Sequence, residues 1–115
     1  MPPIKPTIPM DALEKIDIRI GTITEVGDVA GSKKLVRLHV DFGDHTRQIV
    51  AGLKEERPDL TALIGLQTVF VVNLEPRTIM GALSEGMLFD AGYADGLTPV
   101  FLLPERPVPN GMRAA

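Results

Sequence analysis

Leu35-Val36-Arg37-Leu38-His39-Val40-Asp41-Phe42 sets Val36, Leu38, Val40 and Phe42 at alternate positions, with Arg37, His39 and Asp41 between them. A strand sends successive side chains to opposite faces, so this spacing predicts a half-buried strand, apolar inward and polar outward. Gly43-Asp44-His45 supplies turn residues and Arg47 to Val50 resumes the pattern, which makes the pair a hairpin. Upstream, Ile16, Ile18 and Ile20 share one face and Asp17 and Arg19 the other, until the phase changes after Gly21, where a bend or bulge is expected. Asp11 followed by Glu14 predicts a capped helical turn at Ala12 to Lys15. Downstream, Lys54 to Asp59 is polar, Leu60 to Ile64 reads as a short helix stopped by Gly65, and Thr68 to Leu74 is an apolar, β-branched strand. Pro76 to Ser84 reads as a loop around Gly81, followed by strands at Met87 to Ala91 and Val100 to Leu103.

Short links and the lack of long crossover helices exclude a parallel α/β sheet. Three strands, a short helix and further strands is the chain order of an all-β OB-fold, a five-stranded Greek-key barrel, here with short helices and extra C-terminal strands. Another small barrel, such as an SH3-like one, is the alternative. Residues 1–10 hold four prolines and no period, which predicts an extended, flexible arm ahead of one domain at 11–115. A chain of 115 residues supports one core and leaves apolar surface that a homodimer would cover.

Composition removes several chemistries. There is no cysteine, so disulfides, thiolate metal sites and cysteine nucleophiles are excluded, and His39 and His45 alone cannot build a histidine-rich metal site. Carboxylates are scattered over turns and outer strand faces, with no Ser-His-Asp order and no glycine-rich phosphate loop. The reading is a non-enzyme with no catalytic residue, no metal and no cofactor. No apolar run matches a signal peptide or a membrane span, so a cytoplasmic protein with no membrane partner is expected. Net charge is −3, so any binding of nucleic acid must rest on a local patch rather than on the field of the whole molecule.

In an OB-fold the ligand face lies on strands two and three, between the loop joining strands one and two and the loop joining strands four and five. The first loop delivers Ser32, Lys33 and Lys34, with Arg37 on the polar face just beyond, and these groups can neutralise or donate to phosphates. A solvated basic turn is the alternative reading. The second loop, Asn73 to Met87, offers donors in Arg77 and Ser84, a polar edge in Asn73 and an adaptable apolar surface in Met80. Its alternative is that Met80 and Met87 are core and Asn73 satisfies a turn, and for Met87 the core is the better reading. Glu75 and Glu85 flank Arg77 and oppose a phosphate there. Phe42, Phe70 and Phe89 fall on apolar strand faces and Tyr93 near a turn, so no stacking platform for an extended single strand is expected. A folded RNA, met by backbone and shape, fits better.

Ser32-Lys33-Lys34-Leu35, Arg47-Gln48-Ile49-Val50-Ala51-Gly52-Leu53, Val71-Val72-Asn73-Leu74-Glu75-Pro76-Arg77 and Met80-Gly81-Ala82-Leu83-Ser84-Glu85-Gly86-Met87 resemble the tRNA-binding domain family. That family includes free-standing tRNA-binding proteins, the C-terminal domain of bacterial methionyl-tRNA synthetase, the endothelial monocyte-activating polypeptide and the secretion chaperone CsaA. The resemblance runs from about Asp11 to Gly111. It implies an OB-fold, a homodimer formed partly through C-terminal strands, and tRNA recognised by its shape, with Lys33, Asn73, Arg77, Ser84 and Met87 at or near the site. The first loop lacks the His-Pro-Asn-Ala lead-in common in the family, whereas Gly86-Met87 is kept where CsaA-like members tend to carry apolar residues. The partners it implies are tRNA, a second copy of the chain, an aminoacyl-tRNA synthetase or, for a chaperone of the CsaA type, unfolded preproteins.

Overall fold

The alternating segment forms the middle of an antiparallel sheet in the computed structural model, which describes residues 2–115; Met1, the first residue of the expected arm, lies outside them. Strand β1 is Ile18–Asp28, β2 Leu35–Asp41, β3 Thr46–Gly52 and β4 Gln67–Val71, and β5 (Arg77–Ile79), β6 (Ala82–Ser84) and β7 (Met87–Leu88) follow. One helix, α1 (Met10–Glu14), and 3-10 turns at Leu60–Leu63 and Tyr93–Asp95 complete the elements. The main sheet has the order β3-β2-β1-β4-β7, and β5 and β6 make a separate two-stranded ribbon.

The β2–β3 hairpin keeps the register its pattern implies, from Leu35 opposite Gly52 to Asp41 opposite Thr46. Val36, Leu38 and Val40 are fully buried, and Phe42 meets Phe70 edge-on across the core at 5.6 Å between ring centroids. In β1 the expected isoleucine face is only half covered, and the strand's core side is Gly21 and Ile23 instead. The bulge falls at Thr24, between Ile23 and Glu25. Gly21 stays in register opposite Thr68, because a Cβ there would lie 2.6 Å from Val40 Cγ1 and 2.9 Å from Phe42 Cε1. Its glycine makes room for the β2 side chains rather than marking a bulge.

Helix α1 starts two residues earlier than expected: Pro9 is its cap, the Pro9 carbonyl accepts from Ala12 N–H, and Asp11 sits within the first turn. The turn at Leu60–Leu63 is capped by Asp59, whose carboxylate accepts from Thr61 N–H, and Gly65 follows with φ +92°. Pro76 to Ser84, expected as a loop, is the β5–β6 hairpin, whose two central residues Met80 and Gly81 both have positive φ (49° and 82°). That is the turn geometry matching the right-handed twist of paired strands. The strand expected at Val100 to Leu103 is absent as a ladder. A single bridge joins Ala91 and Val100, and the buried Thr68 hydroxyl donates to the Leu102 carbonyl at 2.9 Å.

The sheet is a curled five-stranded one and not a closed ladder. Its edges, β3 and β7, meet at one end only, through groups on β6 and the residue after it. Glu85 N–H donates to the Gln48 carbonyl (2.8 Å), the Glu85 carboxylate accepts from Gln48 N–H (3.1 Å), and Ser84 Oγ accepts from Val50 N–H (3.0 Å). The Arg47 guanidinium clips the same junction, donating to the Val72 and Glu85 carbonyls. Beyond Val50 the edges part and leave a groove. On the other side of the molecule the segment after Asn110 runs along the free edge of β1: Gly111 N–H donates to the Ile20 carbonyl, Ile20 N–H to Met112 and Ala114 N–H to Ile18.

Candidate nucleic-acid interface

Between β1 and β2 the chain turns through Val29 to Lys34, and Ser32 sets that turn: its hydroxyl accepts from Lys34 N–H at 3.3 Å and Leu35 N–H at 2.9 Å. The hydroxyl is therefore taken up locally, while Lys33 and Lys34 stand exposed at the exit. Arg37 follows on the outer face of β2; its Nε–H donates to the Asp28 carbonyl at 3.0 Å, laying the guanidinium over Gly27. Asp28, the acid of this turn, is paired with Lys54, a residue the sequence did not single out, at 2.8 Å. The Lys54 hydrogen bond and charge hold the Asp28 carboxyl below its ordinary value. Lys54 is thus the ion-pair partner of this acid, with the Arg37 charge acting on it more weakly.

The β5–β6 hairpin leans on this turn. Val29, Val50 and Ala82 form a small buried cluster with Leu35 and Ile79 packed against it, and Met80 Cε lies 3.7 Å from where a Cβ on Gly31 would stand. The two segments expected to flank a ligand are thus in contact. Met80 is 56% exposed and Arg77 is exposed at the hairpin's base. Glu85 turns its carboxylate to β3, and neither it nor Glu75 pairs with Arg77. Among the described residues, Lys33, Lys34, Arg37 and Arg77 belong to no ion pair.

The other expected site residues have different surroundings. Ser84 is buried, and its hydroxyl, besides accepting from Val50, donates to the Gly86 carbonyl at 2.9 Å. Asn73 accepts from Asp17 N–H at 2.8 Å and donates to the Lys15 carbonyl at 2.6 Å, so its amide ties the end of β4 to the residues after α1. Met87, read as core, is 46% exposed beside the β3–β7 groove. Phe89, read as lying on an apolar strand face, is 39% exposed in that same groove, together with Tyr93 at 73%. Tyr93 is thus at the surface, as its place near a turn implies, whereas Phe89 is more exposed than a residue on an apolar strand face.

His45 stacks on Phe42; its Nδ1 lies 2.6 Å from Asp44, while its Nε2 accepts from Arg47 Nε–H, which fixes the tautomer with the proton on Nδ1. Among the described residues no group of three His, Asp or Glu side chains converges as metal ligands would. Among the described residues no helix is long and apolar enough to cross a membrane.

Several solved structures share this architecture. A protein titled as related to methionyl-tRNA synthetase, from Pyrococcus horikoshii, is 32% identical, with a TM-score of 0.87, over 96% of this chain and 100% of that one. The chaperone CsaA of Bacillus anthracis str. Ames is 30% identical, with a TM-score of 0.83, over 96% and 100% of the two chains. The CsaA chaperone protein of Picrophilus torridus is 28% identical, with a TM-score of 0.81, over 95% and 100%. The family model described as "Putative tRNA binding domain" matches residues 18–113, and with its strands, its paired loops and these relatives the chain belongs to that family.

Proposed function

We propose that the protein is a non-catalytic tRNA-binding protein that meets folded tRNA by shape and backbone, acting as a homodimer in the cytoplasm. The observation that carries this reading is the contact between the β1–β2 turn and the β5–β6 hairpin, the segments that bear Lys33 and Lys34 on one side and Arg77 on the other, with Arg37 on the strand beyond the turn; among the described residues none of the four is in an ion pair. Ser32, Asn73, Met80, Ser84 and Met87 complete the proposed site, Ser32, Asn73 and Ser84 by holding its backbone and Met80 and Met87 as exposed apolar surface. The strand order, with β3 and β7 drawn together, supports an OB-type barrel whose ligand face is this one. Exposed Leu97, Val100 and Leu103 offer apolar surface for a second copy, and similarity to a synthetase-related protein favours association with an aminoacyl-tRNA synthetase.

Engaging about three phosphates per subunit gives a log-log salt slope on the order of −2 to −3 per subunit. Gel-shift titration of tRNA, duplex RNA and single-stranded RNA tests the reading, with tRNA expected to bind tightest; equal affinity for all three rejects recognition by shape. A second reading, a CsaA-like chaperone holding unfolded preproteins, is favoured by the apolar β3–β7 groove and by 30% and 28% identity to two such chaperones. It requires that the protein suppress aggregation of an unfolded client while leaving tRNA unbound.

A further inference from the structure

Lys54 stands two residues beyond the end of β3, and three of its contacts reach the β1–β2 turn. Its backbone N–H donates to the Lys34 carbonyl at 3.1 Å, while its ammonium donates to the Asp28 carboxylate at 2.8 Å and to the Ser32 carbonyl at 3.5 Å. One residue thus meets the turn at its entrance, its middle and its exit. Leu53, next to it in the chain, is 2% exposed in the main core, so the backbone that carries the lysine is anchored. The Lys54 side chain is itself only 23% exposed, against 80% for its partner Asp28.

Asp28 has a second cation close by. The Arg37 guanidinium hydrogen-bonds the main-chain carbonyl of Asp28, and its charge acts on the Asp28 carboxyl in the same direction as that of Lys54. Arg37 is nevertheless in no ion pair among the described residues. Holding two long side chains in one geometry costs entropy, and the cost is smaller for a side chain that packing already fixes. Lys54 is fixed in this way and Arg37 is exposed, so the carboxylate goes to the lysine. We propose that Lys54 is a positioning residue for phosphate contact at the cationic turn: it occupies the Asp28 carboxylate, which would otherwise pair with Arg37 and set a free negative charge where phosphate approaches. Lys54 acts through Asp28 and touches no phosphate itself. The proposal deepens the tRNA reading above and rests on it.

Lys54→Met, Asp28→Asn and the double variant form a cycle that isolates this coupling. Lys54→Met keeps the packed stem and removes the ammonium, and it should weaken tRNA binding in a gel shift by about 3- to 30-fold, as for residues in one ion-pair network. Asp28→Asn alone should bind tRNA at least as tightly as the parent. Adding it to Lys54→Met should restore the parental affinity, because an amide does not capture Arg37, and Lys54→Arg should retain that affinity throughout. A lysine that touched phosphate, or that only held the fold together, would not be replaced by removing the acid. A double variant as weak as Lys54→Met, a Lys54→Met that binds like the parent, or a loss of affinity in Asp28→Asn alone therefore overturns the proposal, even where the parent binds tRNA with the expected salt slope. Calorimetric titration with inorganic tripolyphosphate reads the same turn without RNA. The expected order of variants with tripolyphosphate, in a protein that fails to shift tRNA, upholds the role of Lys54 and removes the tRNA reading instead. A parent that takes up neither ligand overturns both.

Discussion

A serine hydroxyl that donates to a phosphate and one that holds a strand edge are the same group, and its neighbours decide between them. Ser84 is buried between the Val50 N–H and the Gly86 carbonyl. Ser84→Ala strands that N–H and is expected to cost about 1–3 kcal/mol, read from the urea midpoint. A weakened tRNA affinity in the folded variant would return Ser84 to the contact surface. Lys33, Lys34 and Arg77 behave differently: each alanine substitution should flatten the salt slope by about 0.9 while leaving the urea midpoint within about 0.5 kcal/mol. The cations were legible in the sequence because long charged side chains on a turn have solvent as their main neighbour. Asn73 and Ser84 were not, because an amide or hydroxyl suits a backbone partner as well as a ligand, and those partners lie 56 and 34 residues away in the chain. Lys54 went unread for the same reason, since its place beside Asp28 depends on β3 returning alongside β2.

At the scale of elements, period-two alternation located β2 because every second residue enters one core, whereas β3 buries the adjacent Ile49 and Val50 in two different clusters and was found through the turn before it. Alternation failed for the β5–β6 hairpin, whose strands of three residues are too short to show a period, and whose turn is Met-Gly rather than the Asn-Gly that announces such a turn. It also misjudged β1, where the core side is carried by a glycine. Gly21→Ala drives a methyl against Val40 and Phe42 and is expected to cost about 1–3 kcal/mol in thermal or chemical unfolding. Arg47 joins elements that sequence reading treated separately. Arg47→Met leaves the Val72 and Glu85 carbonyls without their donor, at a cost of about 2 kcal/mol. Hydrogen exchange should then speed up at β3 and around Glu85 together, whereas an effect on β3 alone would show that the arginine does not hold the two edges.

For the whole molecule the net charge is −3, and two of its acids, Asp28 and Asp17, are each paired with a base in their own neighbourhood. Asp17 is a meeting point: its carboxylate pairs with Arg19 at 3.0 Å and faces Arg113 at 3.8 Å, while its backbone bonds Val72 and Asn73. The hydrogen bond from Arg19, against some desolvation and helped by the charges of Arg19, Arg113 and Arg47, holds its carboxyl below the ordinary 3.8. A carboxyl lowered on folding stabilises the protein above its ordinary value, and that contribution is lost as pH falls through the lowered one. Melting temperature should therefore fall below about pH 4, and Asp17→Asn should melt lower than the parent at pH 7 with the gap closing in acid. A gap that stays constant with pH would show that the pair contributes nothing through ionisation.

The segment from Gly111 to Ala114 lies against β1, the first strand of the sheet, on hydrogen bonds to Ile18 and Ile20. During synthesis on the ribosome β1 emerges early, and its partner on that edge emerges some ninety residues later. For that interval the nascent chain carries an open strand edge, the kind of surface on which neighbouring chains pair. Delay in finishing the chain would thus be felt first as aggregation, long before any loss of ligand binding.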